Sequence, residues 1–388
     1  MDFAEPEEIQ ALRDTLRKFV ARECTPEAVA KWDREDLIPR EMANKLAELG
    51  LFGMCVPEEY GGLGRQVIGM TVVLDELSRG SVALSGMYNM GASYGGLNIS
   101  EAGSEEQKQR LLPPLLEGKL LFAYGLSEPD TGADLTNVKT RAELKGDRVI
   151  VNGFKRWTSG ADIADYIYAL VRSGPAEARR ENLSFVLIPT QAKGVTITRI
   201  GAMGMGGEAL TDVALDNVEI PVTDVIGGAA GWNKGWSMLA GPALEVEKLG
   251  PAAMNLGIAE AALAEAWEYS QQRVQGGKHI CGHQSVRHVL ADAQTDLQAC
   301  RLMMQHAAWL VETEQPSAAA TSMAKLFITE NAKKIVLNCQ QYVMGAYGYA
   351  HGFQMERYVR DVLAGCIYGG SSAIQRNNIA NLLKLPRN

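Results

Sequence analysis

The sequence predicts an α+β multidomain chain: an N-terminal α-helical domain over 1–119, a middle β domain over 120–232 and a C-terminal four-helix bundle over 233–388. Three observations predict it. Apolar residues recur at helical spacing in the first segment, short β-branched runs punctuated by Gly, Asp and Asn fill the second, and helical periodicity returns for the third. At 388 residues, 46% of them hydrophobic, the chain can form two or three domains, each with its own core.

In EEIQALRDTLRKFVAREC, the residues Ile9, Leu12, Leu16, Phe19 and Val20 make one apolar helix face. EMANKLAELG repeats the device with Met42, Leu46 and Leu49 before Gly50 stops it. GSEEQKQRLLPPLLEGK opens with Ser104 and Gln107 at capping-box spacing and ends before Lys119. From about Leu120, the runs RVIVNG, YIYALV, SFVLIP, VTITRI and DVALDNVEIP read as strands. After GGAAGWNKGW, long helices are predicted around 236–274, 283–313 and 317–344, and a last helix runs through QRNNIANLLK. Between them IYGGSSAIQR breaks the pattern. Gly369 and Gly370 each cost a helix about 1 kcal/mol relative to Ala, so this stretch calls for backbone that turns or approaches something closely.

A net charge of -8 without long Lys/Arg blocks argues against a nucleic-acid partner, whose phosphates demand a concentrated basic face. No apolar run approaches the roughly 18 residues of a membrane span, and the acidic opening MDFAEPEEIQ is unlike a basic targeting segment, so a cytoplasmic protein is expected. Six cysteines without a CxxC pair fit a reducing compartment. His279, Cys281 and His283 cluster in KHICGHQ, but the flanking residues suggest a turn into a helix and no complementary Cys/His pair completes a tetrahedral set; no metal is expected. GxGxxG and GxxxxGK[ST] loops are absent from a strand-to-helix setting, which excludes a Rossmann-type cofactor turn.

At the entry to the β region stands FAYGLSEPDTGADLTNVKT, followed after VIVNGFK by RWTSGADIADY. Tyr124, Leu126 and Ser127 lie in a strand-to-loop transition whose backbone groups and hydroxyl suit a polar heterocycle, while Trp157 offers a flat face and Ser159 a hydroxyl. Together with SQQRVQGGKHICGHQ, GAYGYAHG and YGGSSAIQR, in this order and spacing, these stretches resemble the acyl-CoA dehydrogenase family over essentially the whole chain. The resemblance implies FAD as cofactor, an acyl-CoA thioester as substrate and an electron-transfer flavoprotein as partner. It also implies a homotetramer in which a neighbouring subunit holds the far end of each FAD. Tyr124, Leu126, Ser127, Trp157 and Ser159 would then surround the isoalloxazine ring, with Ser159 near N5; Arg273, Gln341, Gly345 and Ser371 would contact the cofactor elsewhere, and Ala133 and Lys248 the substrate. Three positions depart from the family pattern: Gly276 where an adenine-packing Phe is frequent, Tyr342 where Gln is usual, and Ala373 where a longer polar side chain is common.

Dehydrogenating a thioester across Cα and Cβ requires a base for the α-proton and an acceptor for the β-hydride on opposite sides of the acyl chain. In many members of the resembled family the base is a Glu directly after the Tyr of a YEG motif; here Tyr368 is followed by Gly369. Gly369 can still supply the backbone N–H that the family uses to polarise the thioester carbonyl. GPALEVEKLGPAAMNLG offers Glu245 and Glu247 within an otherwise apolar helix. Glu247, immediately before Lys248, matches the place where isovaleryl- and long-chain-type relatives carry their base, whereas Glu245, two positions away, faces elsewhere on a helix. The expected activity is FAD-dependent α,β-dehydrogenation of an acyl-CoA, with a lean toward a branched or bulky acyl group. Alternatives on the same fold are an enoyl-CoA reductase, an acyl-CoA oxidase, or a non-catalytic subunit completing a partner's FAD site in a hetero-oligomer.

Overall fold

The structure, a computed structural model, describes residues 5–386; the opening Met1–Ala4 lies outside the described residues. The first segment is helical: α1 (Glu7–Glu23), α2 (Pro26–Glu35), α3 (Glu41–Glu48), α4 (Val67–Gly80), α5 (Val82–Asn89), α6 (Asn98–Ala102) and α7 (Glu105–Leu116). Ile9, Leu16 and Phe19 of α1 are buried, as their spacing requires. The capping box forms at α7, where the Ser104 N–H donates to Gln107 Oε1 at 2.9 Å and the Gln107 N–H to Ser104 Oγ at 3.3 Å. The same Gln107 is fully buried and donates from Nε2 to the Thr223 and Val225 carbonyls, both at 2.7 Å, which ties α7 to the end of the β region.

Sequence periodicity missed α4 and α5, because both are buried on nearly every side; even the polar Thr71, Asp75, Glu76 and Ser78 of α4 are buried, with Asp75 and Glu76 paired to α1 through Arg13. Between α5 and α6 the chain runs as a π-helix over Met90–Leu97. Its MGASYGG sequence permits close packing: a Cβ on Gly91 would lie 2.4 Å from Phe52, and one on Gly95 would lie 2.4 Å from Leu115 and Phe122. Wide helical turns of this kind recur at functional sites.

The β region is one seven-stranded sheet built from β1 (Phe122–Gly125), β2 (Arg141–Lys145), β3 (Arg148–Lys155), β4 (Tyr166–Arg172), β5 (Leu183–Pro189), β6 (Val195–Ile200) and β7 (Leu210–Pro221). The order is β1-β4-β2-β3-β7-β6, with β5 also pairing β4. β1 runs parallel to β4, with Tyr124 opposite Tyr168, and β3 pairs antiparallel to β7 with a register shift between Val151 and Gly153. All five runs read as strands are strands; β2 was not predicted, since RAELK is exposed and charged.

The remaining residues form α8 (Gly235–Leu239), α9 (Ala243–Gln272), a short hairpin of β8 (Val274–Gln275) and β9 (Lys278–His279), then α10 (Gln284–Glu312), α11 (Ala318–Asn338), α12 (Met355–Val362) and α13 (Ser372–Leu382). Two predicted helices are divided. The one around 236–274 breaks at Ala240–Pro242, and the one around 317–344 continues beyond Asn338 as a π-helix over Cys339–Met344. α9 packs against α10, α11 and α12 within the bundle and also against α4, so the first and last segments share a helical body. All six cysteines are free thiols. Among the described residues no group of His, Cys, Asp or Glu could hold a metal, and no helix is long and apolar enough to cross a membrane. His283 of the sequence cluster instead bonds from its ring to the Gln275 carbonyl at 3.0 Å across the hairpin.

Candidate active site

Glu247 lies in the second turn of α9, half-buried where that helix meets β1 and the start of α6. Asn98 Nδ2 donates to Glu247 Oε1 at 2.9 Å, and the Tyr124 hydroxyl is a second hydrogen-bond partner. Burial raises the carboxyl pKa to about 7, although these two bonds favour its ionised form. Asn98, Tyr124, Tyr168, Phe185, Met238 and Leu244 line the cleft beside it. Tyr124 sits in an aromatic stack, 5.0 Å from the Tyr94 ring and 6.2 Å from Phe185. Its side chain therefore faces Glu247 and the cleft, while its backbone runs in β1.

Gly369 stands on the other side of Pro251, one helical turn beyond Glu247 on the same face of α9. Its φ is +62°, and a Cβ there would meet Pro251 Cγ at 2.6 Å, so glycine is required both by conformation and by contact. The loop is pinned by its carbonyls. Gln375 Nε2 donates to Gly369 O at 3.2 Å and to Gly370 O at 3.1 Å, and Lys325 Nζ to Gly365 O at 2.7 Å and Gly370 O at 2.8 Å. Lys325 is fully buried, and that burial lowers its pKa to about 8. Gly369 is exposed, and its N–H has no protein acceptor among the described residues.

Leu126, Ser127, Trp157 and Ser159 assemble at the mouth of β1 and the end of β3. A buried ion pair builds this corner: Lys155 Nζ lies 2.9 Å from Glu128 Oε1 and donates to the Leu126 carbonyl at 3.1 Å. Glu128 also accepts from the Lys139 N–H at 2.5 Å and the Thr140 N–H at 2.9 Å. Burial works against its charge, yet Lys155 and these N–H groups hold its pKa below the usual value; burial pushes Lys155 down to about 8. The Arg156 N–H donates to the Ser127 carbonyl at 2.9 Å, which joins the two segments.

Trp157 has φ +65°, a left-handed conformation unfavourable to a bulky residue, and its side chain is 51% exposed with the Arg156 guanidinium 4.7 Å from the ring. The Thr158 N–H donates to Thr211 O at 3.0 Å and the Gly160 N–H to Ala209 O at 2.8 Å, so β7 and the residue just before it hold the strained turn. The hydroxyls of Ser127 and Ser159 make no hydrogen bond among the described residues, and Thr158 Oγ1 is buried without a partner. An open aromatic face beside unpaired hydroxyls fits a flat heterocycle rich in donors and acceptors, as isoalloxazine is.

Other sequence candidates lie elsewhere. Ala133 is exposed in the loop after Thr131, and Ser371 caps α13, accepting from the Ile374 N–H at 3.4 Å. Lys248 was expected at the substrate; it is buried, with Nζ 2.6 Å from Glu245 and donating to Ser322 Oγ at 3.2 Å and the Ala318 carbonyl at 3.4 Å. This placement follows from helix geometry, since residue 248 points to α11 while 247 points to β1. Glu245 bonds Lys248 and Thr321. Arg273 ends α9, 26 residues and roughly 40 Å from Glu247 along the axis. Its guanidinium lies 5.2 Å from the Tyr347 ring, near the exposed Gln341 and the π-helix end at Gly345. Asn98, Glu128, Lys155 and Lys325 were not singled out from sequence; the EP following Ser127 and the lone lysine of SMAKLF were the available signals.

A half-buried carboxyl near neutrality in an aromatic-lined cleft, with Tyr124 of that cleft leading along β1 to the open Trp157 face and unpaired hydroxyls, fits a flavin-dependent oxidoreductase working on carbon acids. Comparison with known proteins gives the family. The acyl-CoA dehydrogenase N-terminal, middle and C-terminal domain models match residues 6–119, 123–218 and 233–384. The chain is 34% identical over 387 residues to the 3-(aryl)acrylate reductase of Clostridium sporogenes, covering 99% of this chain and 100% of that one. It is also 34% identical over 381 residues to the benzylmalonyl-CoA dehydrogenase of Aromatoleum aromaticum, with 98% and 99% covered. The butyryl-CoA dehydrogenase structure from Megasphaera elsdenii superposes with a TM-score of 0.93 at 27% identity, covering 99% of this chain and 100% of that one. The protein belongs to the acyl-CoA dehydrogenase family of FAD-dependent oxidoreductases.

Proposed function

We propose that Glu247 is the base that removes the α-proton of an acyl-CoA during α,β-dehydrogenation, and that the Gly369 N–H polarises the thioester carbonyl. The observation that carries this reading is the Glu247 carboxyl itself, held in the cleft by Asn98 and Tyr124 at a pKa of about 7. A base must be ionised at the working pH and still basic enough to take a proton from carbon, and a value near neutrality meets both demands. The free Gly369 N–H suits the developing enolate oxygen, because its carbonyl partners keep the loop rigid. Leu126, Ser127, Trp157 and Ser159 would hold the isoalloxazine ring. Bound FAD supplies the acceptor for the β-hydride. Aromatic walls at Tyr94, Tyr124, Tyr168 and Phe185 exclude water from the reacting carbons.

Arg273, Gln341 and Gly345 cannot reach the Glu247 cleft of their own chain, which supports the reading that they contact FAD held by a neighbouring subunit. The assembly is then a homotetramer, with the domain limits 1–119, 120–232 and 233–388, an electron-transfer flavoprotein as oxidant and a cytoplasmic location. Ala133 would lie on the substrate's path and Ser371 near the cofactor. The two 34% identical relatives are a reductase and a dehydrogenase, so the reductive direction is the second reading.

The test is anaerobic flavin reduction of the purified chain by an acyl-CoA panel, followed by reoxidation with oxygen, enoyl-CoA or a carrier flavoprotein. Reduction by an acyl-CoA and reoxidation by the carrier are expected; a fully flavinylated monomer in light scattering would overturn the shared-site reading.

A further inference from the structure

Glu208 is a buried carboxyl for which the reaction proposed above has no use. It is 7% exposed, yet no hydrogen bond or ion pair reaches its oxygens among the described residues. Its neighbours of like charge are Asp162 and Asp36, and no cation faces it. Asp162 is engaged by Arg199 at 2.6 Å, and Asp36 accepts from the Gly207 N–H at 3.0 Å. Its oxygens keep a little accessible surface rather than being sealed in the interior, and burial of the residue raises its pKa to about 8.

The backbone around it is fixed from three directions. The Met205 N–H donates to Asp361 Oδ1 at 2.6 Å, Gly207 O accepts from the Ile38 N–H at 2.8 Å, and Ala209 O accepts from the Gly160 N–H at 2.8 Å. The side chain is thus aimed, not adrift. It occupies the space above Gly86 of α5, where an added Cβ would lie 1.8 Å from Glu208 Oε2. A Cβ on Gly160, the residue after Ser159, would meet Met90 Sδ at 2.7 Å and Glu208 Cγ at 3.8 Å. Tyr94 lies within electrostatic reach of both Glu208 and Glu247, and Tyr368, which precedes Gly369, within reach of Glu208. The Tyr368 hydroxyl is turned to Met254 Sδ at 3.5 Å and that of Tyr94 to Asn89, so neither phenol satisfies Glu208. Glu208 therefore sits beside the turn that carries Ser159 and within electrostatic reach of Tyr94 and Tyr368, the residues flanking the groups assigned above to the flavin and the thioester.

We propose that Glu208 is a specificity residue that accepts a hydrogen bond from a donor group, a hydroxyl or an ammonium, on the acyl chain beyond Cβ. A carboxyl oxygen accepts such a bond whether or not the group is ionised, and the bound donor supplies the partner that the protein withholds. The inference rests on the acyl-CoA reading but not on the role of Glu247.

The test is calorimetric binding of matched acyl-CoAs to the FAD-loaded protein carrying Glu247→Gln, which blocks turnover. The probes share one chain length and end in methyl, hydroxyl or ammonium. The hydroxyl or ammonium probe is expected to bind on the order of 10- to 100-fold more tightly than the methyl probe. Adding Glu208→Leu should reverse that ranking, with FAD content and melting temperature as controls for folding. Adding Glu208→Gln should keep a preference for hydroxyl and abolish one for ammonium, which separates the two donors. Tightest binding of the methyl probe to the Glu208 protein, an unchanged ranking in Glu208→Leu, or loss of FAD affinity with the ranking unchanged would overturn the proposal. Turnover by wild type that Glu247→Gln fails to abolish would instead refute the assignment of the base and leave the binding order readable.

Discussion

Glu247→Gln keeps the shape of the side chain and its bonding capacity toward Asn98 while removing the basic lone pair. Loss of a positioned base costs on the order of 100- to 10,000-fold in the chemical step. Stability should move the other way. The folded-state pKa is raised to about 7, so the carboxyl stabilises the fold only while protonated, at acid pH, and that contribution is lost as pH rises through the folded value. Relative to wild type, the Gln variant should therefore gain stability as pH climbs through the weakly acidic range to about 7. The gain is at most about 3 kcal/mol, less what cleft water screens. Stopped-flow measurement of anaerobic flavin reduction gives the rate, and urea titration at pH values either side of neutrality gives the stability. In wild type the reduction rate should fall about tenfold per pH unit below the titration point. A Gln variant that reduces its flavin at the wild-type rate would refute the reasoning.

Asn98→Ala removes a donor that favours the ionised form, so the acid limb of the rate profile should shift to higher pH, read from flavin reduction across a pH series. Gly369→Glu in the Glu247→Gln background should restore no turnover, because φ is +62° and its Cβ would collide with Pro251 at 2.6 Å; recovered flavin reduction would show that the loop can retreat. Lys155→Met strands Glu128 in the interior and should cost roughly 3–5 kcal/mol in urea denaturation, with weaker FAD retention on gel filtration. Lys325→Met frees the Gly365 and Gly370 carbonyls and should lower the flavin reduction rate more than FAD occupancy.

Much of the fold is legible in the sequence where one face of an element meets water. α1, α3 and α7 show apolar stripes, β3 to β7 show β-branched runs, and the Ser104–Gln107 box marks a helix start from four residues. α5 and the π-helix at Met90–Leu97 are almost wholly apolar or small, and the polar residues of α4 are buried against α1 rather than turned to water, so none of the three reads as a helix with one wet face. The site divides along the same line. Motif order and residue identity single out Glu247, Gly369, Trp157 and Ser159, since those positions lie within contiguous stretches of chain. The partners of these groups come from distant segments: Asn98 and Tyr124 for Glu247, Pro251 and Lys325 for the Gly369 loop, Glu128 for Lys155. Lys248 shows the limit most plainly, for it follows Glu247 directly in sequence yet faces α11 across the bundle. One residue of helix turns a side chain by about 100°, so neighbours along the chain face different partners. Composition and local pattern therefore marked the elements with a solvent face and the candidate groups of the site; tertiary packing decided which groups meet, and burial at those meetings moved the Glu247 carboxyl toward neutrality.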